Sequence, residues 1–372
     1  MLILLYSYLF LIAFVLSLLL VPVMKKLAVR IGAVDQPSQR KVHRHSKPLL
    51  GGLAIAATLL LVIGVHLLAG ALLADQQNLP AFLERIVQQR SYLGAAMPRL
   101  VAIIGGAILM VGVGLLDDLK GEKFPYQIKF VAQFIAAGWV ALAGVHTSFL
   151  PLVWMNQLLS VFWIVGITNA FNLLDNMDGQ SAGVAAITAA IFFSICVEQA
   201  QFFNAVLLIT LIGAILGFLR YNFSPASIFM GDTGSLFLGF LLGSITLVMS
   251  YAPATAVSIL PVTVIVPLLV LSVPIFDTLS VMMIRLREKR PLFVGDKRHF
   301  SHRLVELGMS QRGAVIFIYL VTLCIGVGAS FLPFLPGWAV MLVLLQTVAI
   351  YAMIAILMAI GKRRHQEILK QN

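Results

Sequence analysis

Apolar stretches of about 20 residues, the length that crosses a bilayer as a helix, recur along almost the whole chain. They fall roughly at 2–24, 49–70, 98–116, 127–146, 152–170, 181–198, 202–219, 234–251, 256–283, 313–332 and 338–360. In hydrocarbon, backbone N–H and C=O groups must be bonded within their own segment, so each stretch is expected to be helical. The pattern predicts an all-α, polytopic integral membrane protein with about eleven transmembrane helices, a single domain over 1–372. With 60% hydrophobic and 11% charged residues, the chain is neither disordered nor a soluble multidomain enzyme. The first stretch has no basic segment ahead of it and no small-residue cleavage site, so it reads as a retained span and not a removable leader. Both cysteines, Cys196 and Cys324, lie inside apolar runs, which argues against a disulfide framework or a cysteine metal site. No internal repeat is evident, and this weighs against a secondary transporter built from duplicated halves.

The net charge of +11 is unevenly placed. All Lys and Arg except Arg85, Arg90 and Arg99 fall in one set of alternate loops: 25–48, 117–129, 171–180, 220–233, 284–312 and the tail from 361. By the positive-inside rule these loops are cytoplasmic, with the N-terminus outside and the C-terminus inside. The excess is thereby explained by orientation, and no nucleic-acid partner is needed. The acids follow the same side, all but Asp75, Glu84 and Glu198.

The acids on that face have distinctive neighbours. Between Asn169 and Gly179, immediately after an apolar run, stand Asn169, Asn172, Asn176, Asp175 and Asp178. Carboxylates and amides are costly beside hydrocarbon, so such a cluster marks a functional site. The asparagines fall at i, i+3, i+7 spacing and are expected to share a helix face. Asp117 and Asp118 end the third stretch, where a carboxylate opposes the helix dipole and needs a partner: a metal ion, Lys120, Lys123 or Lys129. Adjacent helical residues point about 100° apart, so one should face the reacting centre while the other orients it. Asp232, between Gly231 and Gly234, reads either as a helix-capping acid or as a metal ligand whose glycines admit phosphates. Mg²⁺ suits the second reading, because it uses one or two carboxylates together with phosphate oxygens. His299 and His302 lack the further His or Cys of a zinc site; with Arg298 and Arg303 beside them, they fit phosphate or sugar recognition.

Taken in order, these segments resemble the polyprenyl-phosphate N-acetylhexosamine-1-phosphate transferases. The matching positions are Arg40, Lys41, Val42 and His43 with Pro48, Gly51 and Gly52; Leu116 to Leu119; Asn169 to Gly179; Phe229 to Ser235; and Asp296 to Leu304. Each motif alone is weak, whereas the ordered set is specific and covers nearly the whole chain. The family transfers a sugar 1-phosphate from a UDP-sugar to a membrane polyprenyl phosphate and releases UMP. The resemblance implies Mg²⁺, with Mn²⁺ as a substitute, held by Asn172 and Asp232, and Asp117 or Asp118 orienting or deprotonating the lipid phosphate. It implies Asp175 and Asp178 in nucleotide and catalytic contacts, and Lys41, His43, Lys129, Arg298, His299, His302 and Arg303 in substrate binding. Ser301 departs from the pattern, standing where many bacterial members carry a further histidine. Asn176 stands where a glycine-like residue is expected. The sequence His299, Phe300, Ser301, His302 is closer to the branch using UDP-GlcNAc and undecaprenyl phosphate than to the UDP-MurNAc-pentapeptide enzyme of peptidoglycan synthesis, the alternative reading. The expected setting is a bacterial inner (cytoplasmic) membrane, with the site facing the cytoplasm and a homodimer compatible with the resemblance.

The chemistry would be in-line phosphoryl transfer, which depends on positioning and charge neutralisation. A phosphate monoester with a second pKa of about 6 is already largely ionised at neutral pH, so an orienting role for Asp117 and Asp118 is preferred to that of a strong base. A transporter would instead place acids at mid-membrane. Here only Asp277 lies inside a predicted stretch, with no assigned role.

Overall fold

The computed structural model describes residues 2–36, 46–73, 90–252, 259–289 and 299–371. Lys41, His43 and Arg298, expected to bind substrate, lie outside the described residues.

The described residues form thirteen α-helices and one two-residue hairpin. In chain order the first elements are α1 (Leu2–Ile31), β1 (Val34–Asp35), β2 (Lys47–Pro48), α2 (Gly51–Leu73), α3 (Arg90–Lys120) and α4 (Tyr126–Leu142). Then come α5 (Val153–Leu174), α6 (Gln180–Glu198), α7 (Phe202–Asn222) and α8 (Gly231–Val248). The last are α9 (Ile259–Val270), α10 (Ser272–Arg287), α11 (Phe300–Glu306), α12 (Gln311–Phe331) and α13 (Gly337–Gln371). Each of the predicted apolar stretches therefore has a helical counterpart. Nine described helices are long and apolar enough to cross a membrane, and Tyr126–Leu142 is a shorter apolar helix. The protein is an all-α, polytopic membrane protein.

The stretch at 256–283 differs from a simple span. It is broken into Val264–Val270 and Ser272–Arg287, bent by 74°. Two prolines account for the break. Pro267 cannot donate within α9, and Pro274 fits only the first turn of a new helix.

Helix α8 is the hub. Within its apolar window 78% of residues are buried, against 11% for α13, which lies at the rim of the bundle. Around α8 pack α2, α3, α5 and, more lightly, α6. Lipid tails are as apolar as leucine, so helices associate in hydrocarbon through close backbone packing at small residues. At Gly52 a Cβ would lie 2.0 Å from the Gly234 Cα, and at Gly114 one would lie 2.5 Å from Thr233 N. The backbones of α2 and α3 thus touch the first turn of α8.

The approach to that turn is fixed by main-chain bonds. The hairpin pairs Val34 with Pro48 and Asp35 with Lys47. Beyond it, Phe229 N donates to Pro48 O at 2.9 Å, Gly51 N to Phe229 O at 3.0 Å and Gly52 N to Met230 O at 2.8 Å. Pro48, Gly51 and Gly52 therefore serve to place the residues just before Asp232.

Gly114→Ala should destabilise the protein by overpacking, typically by about 1–3 kcal/mol, and should displace Asp232. Gly112→Ala, on the same helix with nothing within 4 Å, should not lower stability, because alanine is the better helix former there. Thermal unfolding of the two variants in detergent tests this, and equal midpoints would contradict the close α3–α8 contact.

Candidate active site

The ends of α3 and α5, the start of α4 and the start of α8 meet at one edge of the bundle. Lys129, in the first turn of α4, bridges two carboxylates: its Nζ lies 3.0 Å from Asp117 Oδ2 and 2.8 Å from Asp232 Oδ2. Asn172, near the end of α5, donates through Nδ2 to Asp232 Oδ1 and to Ser235 Oγ, both at 2.9 Å. Asp117, Asp232, Asn172 and Lys129, expected together from separate motifs, are in direct contact.

Asp118 is turned elsewhere, as its 100° offset from Asp117 requires. Its Oδ1 accepts from Asp232 N at 2.8 Å, and its Oδ2 accepts from Thr233 N at 3.0 Å and from Thr233 Oγ1 at 2.6 Å. A carboxylate from the end of α3 thus caps the N-terminus of α8, satisfying N–H groups that have no partner in their own helix. This also accounts for Gly231. Its φ is +73°, and a Cβ there would lie 2.5 Å from Asp118 Oδ2. Asp232 is consequently not a cap of its own helix; its side chain faces Lys129 and Asn172.

The 169–179 segment divides its polar groups among different neighbours. Asn169 Nδ2 donates to Gln133 Oε1 at 2.6 Å, tying α5 to α4 one turn beyond Lys129. Asn176 does not share the Asn169–Asn172 face, because α5 ends at Leu174. It reaches back instead, its Nδ2 donating to Leu173 O at 3.0 Å, while its Oδ1 accepts from Ser301 Oγ at 2.6 Å. Asp178 Oδ2 accepts from Ala226 N at 2.8 Å, and Lys47 Nζ donates to Ala226 O. Gly179, with φ +78°, turns the chain into α6. Its N–H donates to Asn222 Oδ1 at 3.0 Å, and its carbonyl accepts from the Tyr319 hydroxyl at 2.5 Å. Asp178 therefore braces the loop before α8, a positioning duty.

Asp175 is different. No hydrogen bond to its carboxylate is found among the described residues. Burial, with Asp232, Asp118 and Asp178 nearby, holds that carboxyl well above the ordinary carboxylate range. Asn172 makes both of its side-chain bonds through Nδ2, and its Oδ1 accepts none among the described residues. Among the described residues no three His, Cys, Asp or Glu side chains converge on one metal position. The donor set of Asp232, Asp175 and the Asn172 carbonyl oxygen nonetheless fits a hard divalent cation, which takes few carboxylates and completes its shell with phosphate and water. A cation would also relieve the repulsion that raises Asp175.

The last loop joins the site from the other side. Asp277, fully buried in α10, accepts from His299 Nδ1 at 2.8 Å and from Phe300 N at 2.6 Å. The acid inside an apolar stretch is thus the anchor of the histidine loop. The His302 ring centroid lies 6.5 Å from that of His299. Arg303 donates through Nη2 to Ser280 Oγ at 2.8 Å, bracing α11 on α10.

Sequence reasoning missed Gln133, Ser235, Asn222 and Tyr319 as members of this network. Gln133 carried a signal, a buried amide one helical turn after Lys129 inside an apolar run. Tyr319 carried none.

The sequence profile of Glycosyl transferase family 4 matches residues 100–250, the region that holds Asp117, Lys129, Asn172, Asp175 and Asp232. The chain belongs to this family of membrane transferases. It is 36% identical over 340 residues to a Bacillus subtilis (strain 168) protein named "Probable undecaprenyl-phosphate N-acetylglucosaminyl 1-phosphate transferase", covering 88% of this chain and 86% of that one. It is 35% identical to the decaprenyl-phosphate N-acetylglucosaminephosphotransferase of Mycolicibacterium smegmatis, over 85% of this chain and 79% of the relative. It is 27% identical to the undecaprenyl-phosphate alpha-N-acetylglucosaminyl 1-phosphate transferase of Yersinia pestis, over 94% and 89% of the two chains.

Removing the Asp118 carboxylate should uncap α8. Asp118→Ala is expected to lower stability by about 0.5–2 kcal/mol, the usual worth of a cap, whereas Asp175→Asn, which breaks no bond in the described structure, should not lower it. Thermal unfolding in detergent distinguishes them; a stable Asp118→Ala protein would rule out the capping role.

Proposed function

We propose that this protein transfers GlcNAc 1-phosphate from UDP-GlcNAc to undecaprenyl phosphate at the cytoplasmic face of a bacterial inner membrane, releasing UMP. The product would be a polyprenyl-diphosphate-linked sugar that initiates a cell-surface glycan. The observation that carries this reading is the convergence of Asp117, Asp232, Asn172 and Lys129 at one membrane edge, beside the uncommitted carboxylate of Asp175. Such a cluster accepts a pyrophosphate and a cation together. The names of the relatives support the lipid acceptor and the sugar, and the distribution of Lys and Arg supports the cytoplasmic face.

In the proposed reaction an oxygen of the lipid phosphate attacks the sugar-bearing phosphorus of the donor in line. A new P–O bond forms as the bond to UMP breaks. Lys129 carries positive charge to the reacting phosphates, and its two carboxylate partners hold it there. Asp117 positions Lys129 and, through it, the acceptor phosphate. Asp232, Asn172 Oδ1 and Asp175 would hold Mg²⁺, which when bound neutralises the pyrophosphate charge. Asp118 keeps the first turn of α8 in register so that Asp232 points into the site. One pyrophosphate linkage replaces another, so the step should run close to thermoneutral and be reversible.

Membranes containing the protein should release UMP from UDP-GlcNAc when polyprenyl phosphate is supplied. Parallel reactions with UDP-GalNAc and UDP-MurNAc-pentapeptide identify the donor, and turnover of the pentapeptide donor alone would replace this reading with the peptidoglycan one. Labelled UMP, product lipid and Mg²⁺ should regenerate labelled UDP-sugar; failure of exchange would contradict reversibility. Asp232→Asn should lower turnover by about 100-fold or more, as expected for lost electrostatic stabilisation, without loss of folded protein. Normal turnover in that variant would remove Asp232 from the site. Chelation should abolish activity and added Mg²⁺ should restore it.

A further inference from the structure

Two residues that stand apart from the resemblance, Asn176 and Ser301, are 125 positions apart in sequence and bonded to each other. Ser301 is fully buried, and its Oγ donates to Asn176 Oδ1 at 2.6 Å. The amide is satisfied on both sides, since Asn176 Nδ2 donates to the Leu173 carbonyl at the open end of α5. Asn176 directly follows Asp175, whose carboxylate accepts no hydrogen bond among the described residues. Ser301 follows by two residues His299, whose ring is fixed by Asp277. The segment 299–301 is therefore held at two points. Asp277 takes the His299 ring and the Phe300 N–H, and Asn176 takes the Ser301 hydroxyl.

These two attachments do different things. The Asp277 bonds tie the loop to α10 and set the ring orientation of His299, because Nδ1 is engaged and Nε2 is left for other contacts. The Asn176 bond ties the same loop to the end of α5, and so sets the distance between His299 and Asp175. A hydroxyl–amide bond is short and directional, and the buried Ser301 hydroxyl has no water to turn to if the bond is lost.

We propose that Asn176 and Ser301 form a single positioning pair that holds the His299 loop in register with Asp175 and thereby shapes the donor-binding side of the site. Neither residue touches the reacting atoms in this arrangement; each acts through its neighbour. The proposal rests on the donor-transferring reading above for its kinetic consequence, and on geometry alone for the coupling between the two loops.

The test uses full-length protein in detergent or nanodiscs, with Asn176→Ala, Ser301→Ala, the double variant and Ser301→Thr. Hydrogen exchange of the peptide containing 299–306 needs no substrate. It should quicken in Asn176→Ala, although the substitution lies on the other loop; unchanged exchange overturns the proposal even if the protein proves inactive. With UDP-GlcNAc as donor, each Ala variant should raise KM several-fold while changing kcat less than about twofold. The double variant should be no worse than either single one, as for two halves of one interaction. Ser301→Thr keeps the hydroxyl that Asn176 Oδ1 accepts and should recover KM toward the wild type. Additive losses, or a fall in kcat with unchanged KM, would overturn the pair. Should Ser301→Ala fail to fold, Asn176→Ala carries the same test from the half-buried partner. A wild-type protein that turns over no UDP-GlcNAc would refute the proposed function and leave the exchange measurement to decide the coupling.

Discussion

Carboxylates brought close together at the edge of a low-dielectric bundle repel one another, and everything at this edge is arranged around that repulsion. Asp117 and Asp118 come from the end of α3, Asp232 from the start of α8, and Asp175 from the residue that follows α5. Like charges in such a setting neutralise or separate unless something compensates. Here the compensation is of two kinds: the Lys129 ammonium between Asp117 and Asp232, and the N-terminus of α8, which takes Asp118. Only Asp175 is left without a partner among the described residues. The close packing at Gly52, Gly114 and Gly231 follows from the same requirement, because the N–H groups of α8 can reach Asp118 only if the helices touch.

The division of labour within the adjacent acids follows from helical geometry. Residues that neighbour each other in sequence point in different directions on a helix, so Asp117 and Asp118 were bound to meet different partners. Asp117 meets a cation and belongs to the charge network. Asp118 meets a helix terminus and belongs to the scaffold. The two acids therefore act through different contacts, Asp117 through Lys129 and Asp118 through the first turn of α8.

Much of this was legible in the sequence where the signal is local. Apolar length alone located the spans, since a helix is the only structure that an isolated segment can adopt in hydrocarbon. Asn172, Lys129 and Asp232 were legible as candidate site residues through the ordered motifs that carry the family resemblance. What local signals could not supply was pairing at a distance. The Asp118 cap joins residues 114 apart in sequence, and Asn176 was assigned to a helix face because nothing in the sequence marks the end of α5 at Leu174. The break at 256–283 falls between Pro267 and Pro274, yet the predominantly apolar composition on both sides of it read as one span. Asp277 had no assigned role because its partner, the His299 loop, lies across a segment rich in basic residues.

The short helix α4 shows what this economy of pairing means for how the protein enters its membrane. With 17 residues, including Lys129 and Gln133, it is a poor candidate for autonomous insertion. The cost of a lysine or an amide in the bilayer falls steeply once a neighbouring helix offers a partner. The partners are already present on either side: Asp117 at the end of α3, made just before, and Asn169 in α5, made just after. Insertion of α4 is thus tied to that of its two flanking helices as a three-helix unit. The Lys129–Asp117 and Asn169–Gln133 bonds are what join the three helices at this edge. Loss of Asp117 or Asn169 should therefore be felt first in the yield of correctly threaded protein, before any catalytic step is reached.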